Sequence, residues 1–207
     1  MALFIQIHPE NPQQRLINQA ASMLRKGGIL VYPTDSCYAI GCHIGDKAAS
    51  EKIRRIRQLH ANHHFTLMCS DLAEVGLYAK LDNPAFRLIK NITPGSYTFV
   101  MQATKEVPKR LLTPKRKTIG VRIPDNKIAL ELISALGEPI ISTTLMLPND
   151  EYPLTDPYEM NNLLGNDVNM IIDGGYCGLE PTTVVDMLGD VPVVIREGLG
   201  DVSVFNE

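Results

Sequence analysis

Apolar and polar residues change period repeatedly along the chain, and each change marks an element. Leu3 to His8 alternates, as a half-buried strand does. Asn11-Pro12 offers a cap and a proline at the first helical position. Leu16, Ala20, Met23 and Leu24 then recur at helical spacing until Gly27-Gly28. Ile29-Leu30-Val31-Tyr32 is an unbroken run of apolar character, suited to a central strand. Pro33 cannot donate to a ladder and ends it. Asp46 can cap a helix through Gln58 that turns Ile53 and Ile56 inward and its arginines outward.

Phe65 to Cys69 reads as a short strand, and Asn83-Pro84 opens a helix carrying Phe86, Leu88 and Ile89. Pro94-Gly95 signals a turn before a strand from Tyr97 to Met101. Thr118 to Ile123 is another strand, and Gly120 inside it predicts close approach of a backbone or a ligand. Asp125 is placed to cap a helix with Ile128, Leu132, Ile133 and Leu136, stopped by Gly137 ahead of a strand from Pro139 to Thr143. Pro148 to Pro157 reads as a loop, Tyr158 to Leu164 as a short helix, and Met170 to Asp173 as a strand before Gly174-Gly175. Strands from Thr182 to Asp186 and Val191 to Ile195 close the pattern. Strands and helices interleave without a linker. The expected fold is α+β with α/β-like layering: one domain, residues 1–207, built on a mixed twisted sheet flanked by helices.

Polar groups gather at the ends of these strands. Thr34, Asp35, Ser36 and Tyr38 follow the second strand, in a stretch that reads equally as a polar turn between two strands. Arg122 closes TIGVRIP, Ser142, Thr143 and Thr144 follow PII, Asp173-Gly174-Gly175 follows MII, and Arg196 follows VVI. Arginine supplies a fork of donors, and glycine lets backbone N–H groups reach an anion. Together they equip a phosphate or carboxylate site, yet no P-loop or dinucleotide fingerprint is present. Arg122 and Arg196 stand out as ligand contacts because each terminates an apolar run. Asp35, Asp173 and Asp186 read as residues that order loops. His60-Ala61-Asn62-His63-His64 lacks a carboxylate or cysteine partner, so it reads as a polar loop and no metal site is assigned.

With 207 residues, 44% hydrophobic and 21% charged, the chain can bury a core of ordinary size. A net charge of −3 points to no partner, but its distribution is uneven. Basic residues cluster between Asp46 and His64 and between Lys105 and Lys127, while Arg196 is the only basic residue after Asp150. One cationic and one anionic face are expected, the former suited to phosphate or nucleic acid. Two solvated surface segments would give the same pattern. Cys37, Cys42, Cys69 and Cys177 show no metal or CxxC spacing and are expected to be reduced thiols in the cytoplasm. The N-terminus lacks the pattern of a signal peptide, and no apolar run is long enough for a membrane span, so no membrane partner is expected.

YPTDSCYAIG, PGSYTFVM, IGVRIP, PIISTT, DGG with TTVVD, and VIREG occur in the order found in the YrdC-type family. The chain resembles that family over nearly its whole length, and its pattern looks most like the bacterial YciO branch. The resemblance implies a YrdC/RibB-like fold around a large, concave, cationic cavity. It implies synthesis of threonylcarbamoyl-adenylate from ATP, threonine and bicarbonate for tRNA modification, a nucleotidyltransferase reaction with Mg2+ screening the phosphates. Threonine's amine attacks bicarbonate or CO2, and the carbamate oxygen attacks the α-phosphorus and expels pyrophosphate. No protein nucleophile is needed, so no catalytic residue is assigned, and the protein acts by positioning and charge stabilisation.

Carried over by motif, Arg57, Thr118, Ser142, Thr144 and Arg196 fall at nucleotide contacts. Thr34, Tyr38, Arg122 and Thr182 fall at contacts to the amino-acid substrate. Tyr38 reads as packing rather than catalysis, and Arg57 reads equally as a solvated helix-end charge. Two departures stand out: the family's Lys-x-Arg reads Arg57-Gln58-Leu59, and its Ser-x-Asn ends in Met146. Losing a donor aimed at developing charge costs about a hundred- to a thousandfold in rate. The expected protein therefore binds nucleotide and RNA, including tRNA or double-stranded RNA, with weak or altered catalysis. The alternative is an active threonylcarbamoyl-adenylate synthase, or the same reaction on another amino acid, with neighbouring arginines or histidines in place of the missing groups.

Overall fold

The computed structural model describes residues 1–60, 63–113 and 115–205. Its centre is a ten-stranded sheet. The strands are β1 (Leu3–Gln6), β2 (Leu30–Tyr32), β3 (Ala39–His43), β4 (Thr66–Met68), β5 (Tyr97–Gln102), β6 (Thr118–Arg122), β7 (Ile140–Thr144), β8 (Met170–Asp173), β9 (Thr183–Asp186) and β10 (Val193–Arg196). The helices are α1 (Gln14–Arg25), α2 (Lys47–Arg57), α3 (Leu72–Tyr78), α4 (Asn83–Ile92), α5 (Lys127–Leu136) and α6 (Pro157–Leu164). Strand order is β1-β8-β2-β3-β7-β4-β6-β5-β9-β10. The β1–β8, β8–β2, β4–β6 and β5–β9 pairs are parallel and the rest antiparallel, so the sheet is mixed, as the interleaved pattern predicts.

The two faces bury separate cores. On one, α1 and α5 pack together and cover Leu30, Tyr32, Ile140, Met170 and Ile172. On the other, Val31, Ile40, Leu67, Val121 and Ile171 meet Ile53 of α2, Val75 of α3, Ile89 of α4 and Met160 of α6. Alternate strand residues point to opposite faces, which is why neighbours such as Leu30 and Val31 belong to different cores. The unbroken apolar run of β2 thus reflects burial on both faces.

Several elements differ from expectation. Helix α1 starts at Gln14, without a side-chain cap, rather than at Pro12. The His8 ring instead accepts the N–H groups of Glu10 and Asn11 and holds that segment as a turn. Asn126, not Asp125, caps α5 through the Ala129 N–H. Helix α3 has no apolar periodicity long enough to announce it. It is set by Asp71, which accepts from Glu74 N–H, while the Glu74 carboxylate accepts from Ser70 N–H, the logic of a capping box. The last strand begins at Val193 rather than Val191 and is an exposed edge paired only with β9. Asp46 does cap α2, and Gly137 closes α5 at φ 78°. All four cysteines are free and buried. Among the described residues, no helix is long and apolar enough to cross a membrane.

Candidate functional site

Helices α1 and α5 cover only part of their face of the sheet. Beyond them the same face forms the floor of a cavity of about 730 Å³. Strand register dictates what lies there. Gly41, Ser142, Thr66, Gly120 and Val100 are partners in one row across β3, β7, β4, β6 and β5. Partners across a ladder project to the same side, so the row changes from apolar under the helices to polar or absent side chains under the cavity. A Cβ at Gly120 would stand 3.2 Å from Thr66 Oγ1 and 3.4 Å from Thr98 Cγ2. The glycine thus keeps the floor open, the close approach its sequence position predicts. Gly41 has a different task. Its missing side chain lets the Tyr32 ring pass over β3, where a Cβ would lie 3.2 Å from Tyr32 Cε1. The Tyr32 hydroxyl then donates to Ser142 Oγ at 2.9 Å, and Ser142 Oγ donates to Ile40 O at 3.3 Å.

The polar stretch after β2 is a hairpin loop into β3, since Tyr32 pairs with Ala39. It is therefore both a turn between strands and part of a cavity wall. Asp35 Oδ1 accepts from Arg122 Nη2 at 2.5 Å, and its other oxygen accepts from Ser96 Oγ at 2.6 Å. The same nitrogen donates to Ser36 Oγ at 3.1 Å. The ion pair is largely shielded from water, with side chains 9% and 10% exposed. One edge of the guanidinium is thus anchored, while the Nε has no partner among the described residues. The Thr34 hydroxyl donates to Cys37 O at 2.6 Å and accepts from Ser36 N–H. It is spent on the loop and does not line the cavity; Ser36, Cys37, Tyr38 and Ala39 do.

The other expected residues converge. Tyr38, Arg57, Thr118, Arg122, Ser142, Thr144, Thr182 and Arg196 all border this cavity. Arg196 donates from Nε and Nη2 to Thr182 O at 3.2 and 2.8 Å, and Thr182 Oγ1 lies 2.8 Å from Thr98 Oγ1. Arg196 ends an apolar run that forms an exposed edge strand rather than a buried one, and this carbonyl clamp is what orients it. The Tyr38 hydroxyl donates to Gly175 O at 2.7 Å and accepts from Gly174 N–H. Burial pushes its pKa above the usual phenol range, so it clamps the glycine turn as a neutral group. Asp173 and Asp186 accept from the N–H groups of Gly175 and Leu188 and order those loops.

One wall has no counterpart in the strand-end pattern. His63, His64 and Phe65 line the cavity together with Arg57. Ala61 and Asn62 of that loop lie outside the described residues. His63 Nε2 lies 3.3 Å from Thr143 Oγ1, and the Arg54 guanidinium stacks over the Phe65 ring at 4.8 Å. Burial lowers the pKa of Arg57, and its Nε is buried without a partner among the described residues. Burial, then Arg57 and Arg54, depress His63 to about 4, so the imidazole is neutral near pH 7. Glu151, Tyr152 and Pro153 also line the cavity. Thr66 and Thr98, polar positions alternating within apolar strands, were the available sequence signal for the floor. Among the described residues no group of three or more His, Cys, Asp or Glu gathers as a metal site. The basic segments are partly dispersed: Arg110 donates to Ile44 O, Arg116 pairs with Asp186 at 3.6 Å, and Lys127 pairs with Glu10 at 2.8 Å.

Residues 22–198 match the Sua5/YciO/YrdC family model, described as "Telomere recombination". The chain belongs to the Sua5/YciO/YrdC family. It is 60% identical over 205 residues to YciO of Escherichia coli (strain K12), covering 99% of this chain and 100% of that protein. It is 30% identical over 186 residues to the threonylcarbamoyl-AMP synthase of Photobacterium profundum, covering 88% of this chain and 98% of that protein. Among solved structures, E. coli YciO superposes with a TM-score of 0.95 at 60% identity over 99% of this chain and 100% of that one. Pyrococcus abyssi Sua5 complexed with L-threonine superposes at 0.87 and 26% identity, over 95% of this chain and 58% of that one.

Leu59 and Met146, expected from the sequence to depart from the family's motifs, have different surroundings. Leu59 packs against the core beside α2 and does not line the cavity. Met146 does line it, but presents a thioether where an amide would donate.

Proposed function

We propose that this protein is a cytoplasmic nucleotide- and RNA-binding member of its family, related to threonylcarbamoyladenosine biosynthesis, with weak or altered catalysis. The observation that carries this reading is the uneven state of the cavity wall. Hydroxyls and guanidinium groups remain in place, while Leu59 is turned into the core and Met146 offers no donor. The relatives named threonylcarbamoyl-AMP synthase, and the Sua5 structure with L-threonine, support ATP and an amino acid as the small-molecule ligands. In this reading Arg122, anchored on one edge by Asp35, offers its remaining nitrogens to an amino-acid carboxylate, with Thr182 beside it. Arg57, Thr118, Ser142, Thr144 and Arg196 border the nucleotide, and Thr34 acts indirectly by shaping the loop under Arg122. Mg2+ arrives on the nucleotide's phosphates; among the described residues the carboxylates lining the cavity are Glu151 and Glu180.

The test is pyrophosphate release from ATP, Mg2+ and bicarbonate with each amino acid in turn. ATP binding with turnover on the order of a hundred- to a thousandfold below a full-motif synthase is the expected result. Threonine turnover equal to that synthase's supports the active-enzyme reading instead. RNA binding is tested by titrating salt: affinity for a tRNA or an RNA duplex should fall linearly on a logarithmic scale as salt rises. Affinity indifferent to salt rules out arginine-mediated RNA contact.

A further inference from the structure

Arg57 and His63 come from different segments, the end of α2 and the loop before β4; both line the cavity, and the Arg57 charge acts on the His63 ring. His63 is held by Thr143 through Nε2, and its ring meets Phe65 edge-on at 6.5 Å between centroids. Arg54 covers Phe65, so a second guanidinium backs the same cluster. A neutral imidazole has one donor nitrogen and an imidazolium has two, so a charged ring can serve Thr143 and an incoming anion together. The charged groups acting on the ring are Arg54 and Arg57 of α2 and the adjacent His64, all of which oppose its protonation. The carboxylate of Asp150 acts on Arg57, and Glu151 lines the cavity from that same loop.

We infer that Arg57 and His63 form one phosphate subsite, in which the imidazole takes up a proton as a phosphate group of the ligand settles against the pair. The inference rests on the nucleotide reading and extends it. The second cation of this wall is then not fixed but recruited by the ligand, which answers the loss of a cation at Leu59. Burial is the main reason the empty ring is neutral, and phosphate charge offsets the repulsion that Arg57 and Arg54 add to it. By linkage, a proton bound with the ligand makes affinity rise as pH falls, by at most about tenfold per pH unit. The window lies between the empty-state value of about 4 and the higher bound-state value.

The experiment is calorimetry of ATP binding to the wild-type chain and to H63Q in buffers of different ionisation enthalpy, across a range of pH. The nucleotide's own titration is common to both proteins, so the difference belongs to His63. The wild type should take up more protons than H63Q, and its affinity advantage should grow as pH falls. In parallel, the ring signal of His63 in the wild type, followed by NMR, should titrate at a higher pH with ATP or inorganic pyrophosphate bound. That measurement decides the matter even if H63Q fails to fold. Equal proton uptake in two binding-competent proteins, or an unmoved His63 titration at saturation, overturns the proposal and leaves the nucleotide reading intact. If the wild type binds neither ATP nor pyrophosphate, both fall together.

Discussion

Asp35→Asn tests how the hairpin loop holds the cavity's best-anchored cation. The change keeps shape and volume. The substituted amide would still accept one hydrogen bond, and the Ser96 hydroxyl can rotate to accept from its new N–H groups. What is lost is the negative charge 2.5 Å from Arg122 Nη2, within a pair whose side chains are 9% and 10% exposed. Removing one member of a buried pair costs about 3–5 kcal/mol, because the other charge is left in the interior without compensation. Ser36 and Thr34 still accept from Arg122, so the lower end, about 3 kcal/mol, is expected. For a chain of this size each kcal/mol lowers Tm by about 2–4 °C, giving a drop of roughly 6–12 °C. Burial should also keep the loss nearly unchanged at high salt. The assay is urea and thermal denaturation of the wild type, D35N, R122M and the double variant. The double variant should recover much of the loss, since no unpaired charge remains. A D35N protein within about 1 kcal/mol of wild type, or a loss that salt abolishes, would refute the account of a shielded, anchoring pair.

The same geometry yields further expectations. Gly41→Ala brings a Cβ to 2.8 Å from Ile140 Cγ2 and Ile141 O, and 3.2 Å from Tyr32 Cε1. A loss of about 1–3 kcal/mol in urea titration is expected, with Tyr32 displaced from Ser142. Met146→Asn adds a donor to the cavity wall and should raise pyrophosphate release, whereas Leu59→Arg should chiefly destabilise because Leu59 packs on the core. Steady-state rates and denaturation midpoints for the two single variants check the contrast. His63 has a folded value of about 4 against an ordinary 6.5. The unfolded chain therefore binds more protons in that interval, and this group's stability contribution, complete above 6.5, is lost as pH falls towards 4. Denaturation midpoints across that range should fall less steeply in H63Q.

The sequence by itself determined most elements and the composition of the site. Period and punctuation are local properties: the unbroken Ile29–Tyr32 run, the Asp46 cap and the Gly137 stop all read true because adjacent residues decide them. The family motifs located the nine expected ligand contacts for the same reason, and all but Thr34 border one cavity. What only the tertiary structure decided is which side of each residue is used. Thr34 is named by its motif, yet its hydroxyl closes its own loop. Asp35 reads as a residue that orders its own loop, yet it is also the partner of an arginine many residues away. Leu59 and Met146 break motifs alike, yet only one faces the cavity. Arg57, His63 and Thr143 are brought together by α2, a loop and β7, a juxtaposition that depends on strand order. Long-range pairing sets those directions, and no local pattern encodes it.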